Sequence, residues 1–588
     1  MLQDCVQVFK KVLERESEQL LIDNHMPKDG FYIIISDHDG QFKIEETIEI
    51  RYDKKQDILM GLSNPRIHDI RYWDYHSVVL DTQKVIKDKK IHSNNYLTFF
   101  MKAENLTNNR VPESSINEYF DRLKNPYIKY SNKKSREIYQ DIESKLQPID
   151  TELLERIRKW VIENISKFSI MDINFQNGDY FKIFFQYSRE LYLQESTRYL
   201  VPNIYNSNDY NVSIEDRILG LPNNNMGMNS KKPYLENKSR GSVYPYLLDS
   251  KEVMLQKKMF DYLSSLAATG KNNIYIDLDN IKIISLKNGD HLDNDFSGIF
   301  FRIMKAKETA IVDMDSVNHY RYRLPSTFIL QNIVQVDLHD MKGDLLKYYD
   351  RPIEKLSGMQ EIINEILFNK YLVSNYSTDP EDLPNNMDDV LRFNLLISRN
   401  RLSNWFYKGE NTGIGILLKK VSMNLVLSSI SNGYYNKACH QFNLGCTLSD
   451  YFSRGARTME NIVNNDIVQN LRIKINANET GSISDDKEYY FAIGQVVNYF
   501  ISLNKGSKKT HNLANPFFLA TNDEIIKNKL KNMFVRYNYA ISTRSKRFNN
   551  LYGMIEKYIP TGNVNKDMMI AGYLSNSLIY EKEEKENA

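Results

Sequence analysis

The sequence predicts an α+β fold, in which a mixed α/β amino-terminal region precedes an all-helical carboxy-terminal region that ends in a four-helix-type bundle. Strand-like alternation recurs as far as residue 337, whereas helical spacing of apolar residues dominates after Pro352. A content of 41% hydrophobic and 26% charged residues is typical of a globular chain. We divide the 588 residues into a mixed region, 1–350, a helical connecting region, 351–480, and the bundle, 481–588.

The first elements follow from local patterns. Apolar residues at three- and four-residue spacing predict a helix over 2–22. Strand-like runs at 31–35 and 44–50, joined by the turn residues 37–40, predict a β-hairpin. Helical spacing returns at 150–168 and predicts an amphipathic helix there.

The rest of the mixed region is rich in predicted strands. Runs of β-branched and aromatic residues predict strands at 274–286, 298–305, 308–314 and 327–337. These strands, with the hairpin and the helices, make the first 350 residues a mixture of both structure types.

The carboxy-terminal hundred residues have the clearest helical pattern. An apolar stripe covers 490–500 at helical spacing. Thr521 followed by Glu524 has the form of a capping box, which predicts the start of the next helix. Two more helical patterns cover 544–558 and 566–580. Four such segments joined by short polar loops predict a helical bundle.

Composition excludes several classes of protein. Three cysteines in a chain of this length rule out a disulfide framework and a four-cysteine zinc site. The uncharged stretches are too polar or too short for the run of about 18 apolar residues that crosses a bilayer. The amino terminus has the pattern of an amphipathic helix and not of a secretory signal. We therefore expect a cytoplasmic protein with no membrane partner.

The most informative local feature is a basic region over 505–547. It contains ten Lys and Arg against two acids, although the whole chain has a formal charge of only +2. Concentrated positive charge on helices favours a polyanion, since each neutralised phosphate releases counterions. A solvated helix face is the alternative. The candidate residues for contact with a displaced strand or a nucleic-acid backbone are Lys505, Lys508, Lys509, Arg536, Arg544, Lys546 and Arg547.

A second candidate is the loop 221–240, LPNNNMGMNSKKPYLENKSR. Asparagine offers a donor and an acceptor to base edges, while lysine and arginine neutralise phosphates, so this loop has the chemistry to position and read a duplex. A surface loop rich in turn-forming residues is the alternative. The candidate residues for recognition of a DNA motif are Asn223, Asn224, Asn225, Asn229, Lys231, Lys232, Lys238 and Arg240.

A third candidate is the segment 87–95, KDKKIHSNN, which has the composition of a single-strand backbone contact. Its residues are Lys89, Lys90, His92, Asn94 and Asn95.

Catalytic signatures are missing from the sequence. It contains no phosphate-binding loop of the Gly-x-x-x-x-Gly-Lys-Ser/Thr type, no Gly-x-Ser-x-Gly elbow and no His-Glu-x-x-His helix. We therefore predict a protein that is not an enzyme and that needs neither a metal nor another cofactor. Two alternatives stay open: a metal-dependent nuclease or phosphohydrolase with an unrecognised His/Asp site, for example at His339 and Asp340, and a purely structural scaffold subunit.

Several blocks of the sequence, taken in order, resemble one family. They are KKIHSNNYLTFF at 89–100, LPNNNMGMNSKKPYLENKSR at 221–240, YYFAIGQVVNYFISLNKGSKKTHNLANPFF at 489–518, RFNNLYGMIEKY at 547–558 and AGYLSNSLIY at 571–580. The chain resembles the large subunit of the type I-B CRISPR–Cas surveillance complex, Cascade. The blocks span most of the chain, and none of them is a catalytic signature.

The resemblance implies a non-catalytic subunit in antiviral defence. It implies recognition of a short protospacer-adjacent motif on duplex DNA, help with strand opening, and support of the displaced strand in the R-loop, while guide RNA pairing reads the target. The implied partners are the guide RNA, double-stranded target DNA, the backbone, handle-capping and small subunits of Cascade, and a helicase-nuclease recruited after target binding. The amino-terminal region would contact the 5′ handle of the guide, which is the role given to the 89–95 segment.

Two further traits of this family concern its cysteines and its internal start sites. Some family members carry paired cysteines typical of a zinc finger, and this sequence lacks them, so no metal is expected. Family members also yield a separate small subunit by internal translation. Met459 precedes the bundle and is a possible start, with Met423 among the alternatives.

Overall fold

The structure is a computed structural model of the 588-residue chain. It describes all residues except 54–57, 62, 81–82, 89, 169–173, 209–210, 216, 229–245, 306–307, 337–343, 350, 454–464, 505–510, 543–544 and 582–588. The chain forms two compact units. The α/β unit comprises 1–287 and 298–316, and the helical unit comprises 288–297 and 317–588. The three-part division with boundaries at 350 and 480 concerns sequence segments and stays a prediction.

The α/β unit combines helices with three sheets. Its described helices are α1 (Leu2–Glu16), α2 (Gln19–Asn24), α3 (Ile67–Tyr75), α4 (Ala103–Thr107), α5 (Glu113–Lys124), α6 (Lys133–Glu143), α7 (Thr151–Phe168), α8 (Arg189–Leu200) and α9 (Ser250–Ala268). Its described strands are β1 (Gly30–His38), β2 (Gln41–Asp53), β3 (Ile58–Met60), β4 (Thr98–Lys102), β5 (Tyr180–Phe185), β6 (Val212–Ile214), β7 (Arg217–Leu219), β8 (Asn273–Asp277), β9 (Lys282–Leu286) and most of β10 (Phe296–Lys305) and β11 (Thr309–Tyr320).

The first sheet has five strands in the order β3-β2-β1-β5-β4. β1 pairs parallel to β5, with Gly30 opposite Tyr180, and antiparallel to β2. A Cβ on Gly30 would lie 1.9 Å from the Tyr180 carbonyl oxygen, so only glycine allows this close pairing. The middle of the central strands is mostly apolar and buried, as Ile33 and Ile183 show, because helices α3, α5, α7 and α8 pack against it in one core.

The second sheet has the order β11-β10-β8-β9. Helices α1 and α9 cover it and share a core with its strands. Phe9 of α1 and Phe260 of α9 are fully buried there, together with Phe301 of β10. The loop residue Met226 belongs to the same core.

The helical unit contains a two-stranded antiparallel sheet, and the chain after it is helical. Its strands are β12 (Arg323–Phe328) and β13 (Ile353–Lys355). Its described helices are α10 (Leu356–Ile366), α11 (Tyr371–Ser374), α12 (Asp389–Lys408), α13 (Ile414–Ser431), α14 (Tyr435–Ser453), α15 (Asn465–Asn476), α16 (Asp486–Ser502), α17 (Asn515–Phe518), α18 (Asp523–Tyr537), α19 (Lys546–Lys557) and α20 (Lys566–Leu574).

Helix α16 is the centre of the carboxy-terminal bundle. It packs against α15, α18, α19 and α20, and nearly all of its side chains are buried. Its closest neighbour is α20, because Gly494 and Gly572 let the two backbones touch. The buried Gln495 amide donates to the Gly572 carbonyl oxygen at 2.6 Å, and its oxygen accepts from the Leu578 amide at 2.9 Å. The chain after α20 is therefore tied to α16.

The structure confirms the predicted fold class: a mixed α/β region first, and then a helical region that ends in a bundle. Five local predictions are wrong. The strand at 274–286 is two strands, β8 and β9, which pair antiparallel. The helix at 566–580 ends at Leu574. The helix over 2–22 is broken at Ser17, which has a φ of 60°. The strand at 327–337 ends at Phe328. Helix α18 is capped not by Thr521 but by Asn522, whose side chain accepts from the Ile525 amide at 3.0 Å.

One helix among the described residues, α13, is long and apolar enough to cross a membrane by length and composition alone. Half of this helix is buried, and Leu418, Val421 and Leu425 are among its buried residues. It packs between α12 and α14. This burial is consistent with the core helix of a soluble fold.

Candidate nucleic-acid interface

The predicted basic region ends in a helical hairpin made of α18 and α19. Phe534, near the end of α18, stacks on Tyr552 of α19 with ring centroids 5.3 Å apart. The Lys527 ammonium, near the start of α18, donates to the Tyr558 carbonyl oxygen just after α19 at 2.6 Å. The two helices are therefore antiparallel, and the chain between them lies at one end of the hairpin.

Three cations flank this connection, and we call them the basic turn: Arg536, Lys546 and Arg547. Arg536 and Lys546 are exposed, and Arg547 is half-buried. The Arg536 guanidinium lies over the ring of Tyr537, 5.5 Å from its centroid. The turn thus places three cations at one end of the hairpin, two of them fully exposed.

Lys546 and Arg547 donate their hydrogen bonds to neutral oxygens. Lys546 donates to Oδ1 of Asn478 at 2.8 Å, and Nε of Arg547 donates to Oδ1 of Asn476 at 2.7 Å. Arg547 also donates to the main-chain carbonyl of Glu581, whose carboxylate pairs with another arginine. These contacts fix the side chains without cancelling their charge.

The start of α19 strengthens the positive field. Lys546 and Arg547 occupy its first turn, which contains no acid, and Ser545 makes no side-chain cap hydrogen bond. A helix amino terminus carries partial positive charge, so cations there cost roughly 0.3–1 kcal/mol each unless an anion is near. Unpaired main-chain N–H groups at such a terminus bind phosphate readily. The arrangement favours an anionic ligand.

Exposed apolar side chains adjoin the basic turn. Val535 and Tyr539 are each 69% exposed, on either side of Arg536 in sequence. A tyrosine beside cations gives a base a surface on which to stack while phosphates meet the charges. These two residues were not predicted from the sequence. The aromatic residues that lie between cations in this region were the pattern that could have indicated them.

Other residues of the basic region differ in availability. Lys505, Lys508, Lys509 and Arg544 lie outside the described residues. Lys527 is half-buried and pairs with Asp523 at 3.3 Å, so its charge is largely compensated. Lys531 is exposed on α18.

The asparagine-rich loop is described only as far as Met228. The Asn224 side-chain oxygen accepts from the Met226 amide at 2.9 Å, and the Met226 carbonyl oxygen accepts from the Ile311 amide of β11 at 2.8 Å. Met226 and Gly227 both have positive φ, 46° and 77°. This turn fastens the start of the loop to the second sheet.

The three described asparagines of the loop differ in exposure. Asn224 is exposed and Asn223 is half-buried, so both reach the surface. Asn225 is 7% exposed, and its amide donates to the Pro222 carbonyl oxygen at 3.4 Å. Because the Asn225 side chain points inward, we leave it out of the recognition set. Asn229, Lys231, Lys232, Lys238 and Arg240 lie outside the described residues.

The segment 87–95 is largely structural. The Asn94 amide donates to the Val78 carbonyl oxygen at 2.8 Å, and that of Asn95 to the Tyr192 carbonyl oxygen at 3.1 Å. Both asparagines are buried, so they are not accessible to an RNA.

Two of the other three candidate residues in this segment, Lys90 and His92, are partly exposed. Lys90 is half-buried, and His92 lies 3.0 Å from the ammonium of Lys84. Lys89 lies outside the described residues. The accessible chemistry of the segment is thus limited to its charged side chains.

Among the described ranges, no group of three or more His, Cys, Asp or Glu side chains could hold a metal ion. Cys439 and Cys446 are buried, and burial raises the pKa of Cys439 to about 12, which keeps it a thiol. His339 and Asp340 lie outside the described residues.

Comparison with protein-family models, with curated proteins and with solved structures finds no match for this chain.

Proposed function

We propose that this protein is the non-catalytic large subunit of an RNA-guided type I-B Cascade complex, and that it acts by binding nucleic-acid phosphates. The observation that carries the proposal is the basic turn. Lys546 and Arg547 bond to neutral oxygens in the acid-free first turn of α19, and exposed Arg536 lies at the end of α18, shortly before exposed Tyr539. The ordered sequence blocks that resemble this subunit support the same role.

In this proposal the two units have different tasks. The helical unit follows the backbone of the displaced strand, which needs charge and stacking but no base-specific contacts. The α/β unit carries the asparagine-rich loop, with Asn223 and Asn224 at the surface, for recognition of the protospacer-adjacent motif. Guide RNA pairing reads the rest of the target, and a recruited helicase-nuclease cuts it. The complex works in the cytoplasm.

The test is reversal of exposed charges on the hairpin. The variant Lys531→Glu/Arg536→Glu/Lys546→Glu leaves Arg547 in place, because that residue also holds the fold. Binding of the full chain to labelled single-stranded DNA is measured over a range of salt. Three lost phosphate contacts at about 0.7 each reduce the slope of log affinity against log salt by about 2.

The matched control reverses three exposed cations elsewhere in the helical unit: Arg401→Glu on α12, Lys420→Glu on α13 and Lys566→Glu on α20. This control keeps the salt slope of the wild type. Equal slopes for the two triple variants would contradict a role for the hairpin. Cleavage of the strand by the purified protein with Mg²⁺ would favour the nuclease alternative, and absence of binding at about 0.15 M salt would favour the scaffold.

A further inference from the structure

A second strongly basic stretch, from Arg122 to Arg136, lies in the α/β unit. It has six cations and no acid. All its residues are described, and they form the end of α5, the following loop and the start of α6. Two of the six are compensated by acids elsewhere: Arg122 pairs with Glu118 at 2.7 Å, and Lys124 pairs with Glu155 at 2.8 Å. The inference concerns the four other cations, of which Lys134 donates to the Asn211 carbonyl oxygen at 3.2 Å.

Three of those four lie on the first turns of α6. Lys133, Lys134 and Arg136 are exposed, and the first turn of this helix has no acid. Asn132 caps the helix by accepting from the Ser135 amide at 2.8 Å. The positive end of the helix therefore adds to the field of these side chains, as it does at α19.

The fourth cation, Lys129, is half-buried beside the same turn. Its ammonium donates to the Tyr199 hydroxyl at 3.0 Å and to the main-chain carbonyl of Lys84 at 3.1 Å, which are neutral oxygens. Burial and the neighbouring Arg122 lower the pKa of Lys129 to about 7. A phosphate near this ammonium would favour its charged form.

These contacts join two basic segments that lie far apart in sequence. Arg122 donates to the Val85 carbonyl oxygen at 3.0 Å, and Lys129 bonds to the residue before it. The chain at Lys84 and Val85, shortly before exposed Lys87, therefore contacts the end of α5 and the loop that precedes α6.

An aromatic platform completes the arrangement. Tyr127 is 38% exposed, and its ring stands edge-on against buried Tyr139, with centroids 4.9 Å apart. The Arg136 guanidinium lies over the Tyr127 ring, 5.7 Å from its centroid. Arginine planes and tyrosine rings are the surfaces on which unpaired bases stack.

We propose that this face of the α/β unit, which we call the α6 surface (Tyr127, Lys129, Lys133, Lys134 and Arg136), binds a single strand of nucleic acid. Phosphates meet the exposed Lys133 and Lys134, and a base stacks at the tyrosine–arginine pair. An unpaired strand is favoured over a duplex because the aromatic side chain requires an open base face. The inference adds to the proposed function and does not depend on the basic turn, since it uses different residues of the other unit.

The experiment uses the full chain with labelled oligo(U) and oligo(dT) of equal length, so that RNA and DNA are compared. Lys133→Glu/Lys134→Glu/Arg136→Glu reduces affinity for the preferred strand at least about 10-fold and flattens the salt slope by about 2. Tyr127→Ala reduces affinity about 5-fold or more with an unchanged salt slope, because stacking is lost and no charge is removed. Tyr127→Phe keeps the wild-type affinity.

The control Lys10→Glu/Lys11→Glu/Arg15→Glu reverses three exposed cations on α1 of the same unit and leaves binding unchanged. The proposal is overturned if Lys133→Glu/Lys134→Glu/Arg136→Glu and Tyr127→Ala each bind RNA and DNA with wild-type affinity. An acidic protein would then be the better partner. If only Lys531→Glu/Arg536→Glu/Lys546→Glu weakens binding, the α6 proposal fails while the proposed function stands. If only the α6-surface variants weaken binding, the α6 surface is supported and the role of the basic turn is contradicted.

Discussion

Replacement of Gly572 by alanine should strongly destabilise the helical unit. A Cβ at this position would lie 2.0 Å from the Phe491 carbonyl oxygen of α16, whereas ordinary contact begins at 3.4 Å. The obstacle is main chain, so α16 and α20 must separate by roughly 1 Å or more. Such a gap forfeits a quarter to a half of the dispersion energy of each contact across it. We expect a loss of about 3 kcal/mol or more, at the upper end for overpacked cores.

Calorimetry of the full chain measures this effect. A loss of about 3 kcal/mol lowers the melting temperature of a unit of this size by roughly 6–12 °C. Gly553→Ala, also within a helix (α19), is the matched control, because a Cβ at this position meets only Cγ2 of Thr480, at 3.4 Å. Alanine is the better helix former, so this control should gain about 0.5–1 kcal/mol. A Gly572→Ala protein that melts with the wild type would refute the close contact of α16 and α20.

Two further predictions concern buried polar groups. Asp74→Asn leaves the buried Lys182 ammonium without its carboxylate and should cost the α/β unit about 3–5 kcal/mol in denaturant unfolding, whereas Asp74→Leu/Lys182→Met should recover much of the loss. Burial would raise the pKa of Asp74, but Lys182 and His25 outweigh it and lower the pKa to about 2. The stability that this carboxylate contributes is therefore complete above its unfolded pKa of 3.8, and it is lost as the pH falls through about 2. A pH profile of wild-type stability that lacks this loss in acid would contradict the pairing. Gln495→Leu removes the partner of the Leu578 amide and of the carbonyl oxygens of Gly572, Ser575 and Asn576, and should cost about 2–4 kcal/mol. An unchanged unfolding midpoint would count against the network.

The sequence predicted those elements whose signal is local. Helix α7 and the strands of the first hairpin follow from apolar periodicity, and their bounds lie close to the expected ones. The parallel pairing of β1 with β5 joins Gly30 to Tyr180, and no pattern within either segment specifies that partner. Local propensity therefore gives the elements, and long-range pairing gives the sheet.

The strand predicted at 327–337 failed for the same reason. Phe328, Leu330 and Val334 are apolar and buried, which resembles a buried strand. Beyond Phe328, however, side chains of α14 take the place of a strand partner: the Val334 amide donates to Asn443 Oδ1 at 3.1 Å, and the Gln331 amide donates to Thr447 Oγ1 at 3.2 Å. Such contacts cross more than a hundred residues of sequence.

Candidate binding residues were predicted by composition, which does not distinguish exposed from buried amides. Asn94 and Asn95 have the chemistry of a ligand contact, but their amides bond to main-chain carbonyls inside the core. The stretch from Arg122 to Arg136 was missed, although a count of cations and acids along the sequence would have found it. Only the folded chain shows that Lys129 meets the Lys84 segment.

The most direct measurement is equilibrium binding of the full wild-type chain to a labelled single strand across a series of salt concentrations. We expect binding at about 0.15 M salt, with affinity that falls steeply as salt rises, by a slope of about −2 for each surface of three phosphate-binding cations. Binding that is absent at that salt concentration, or that does not change with salt, would contradict a protein that works by holding phosphates.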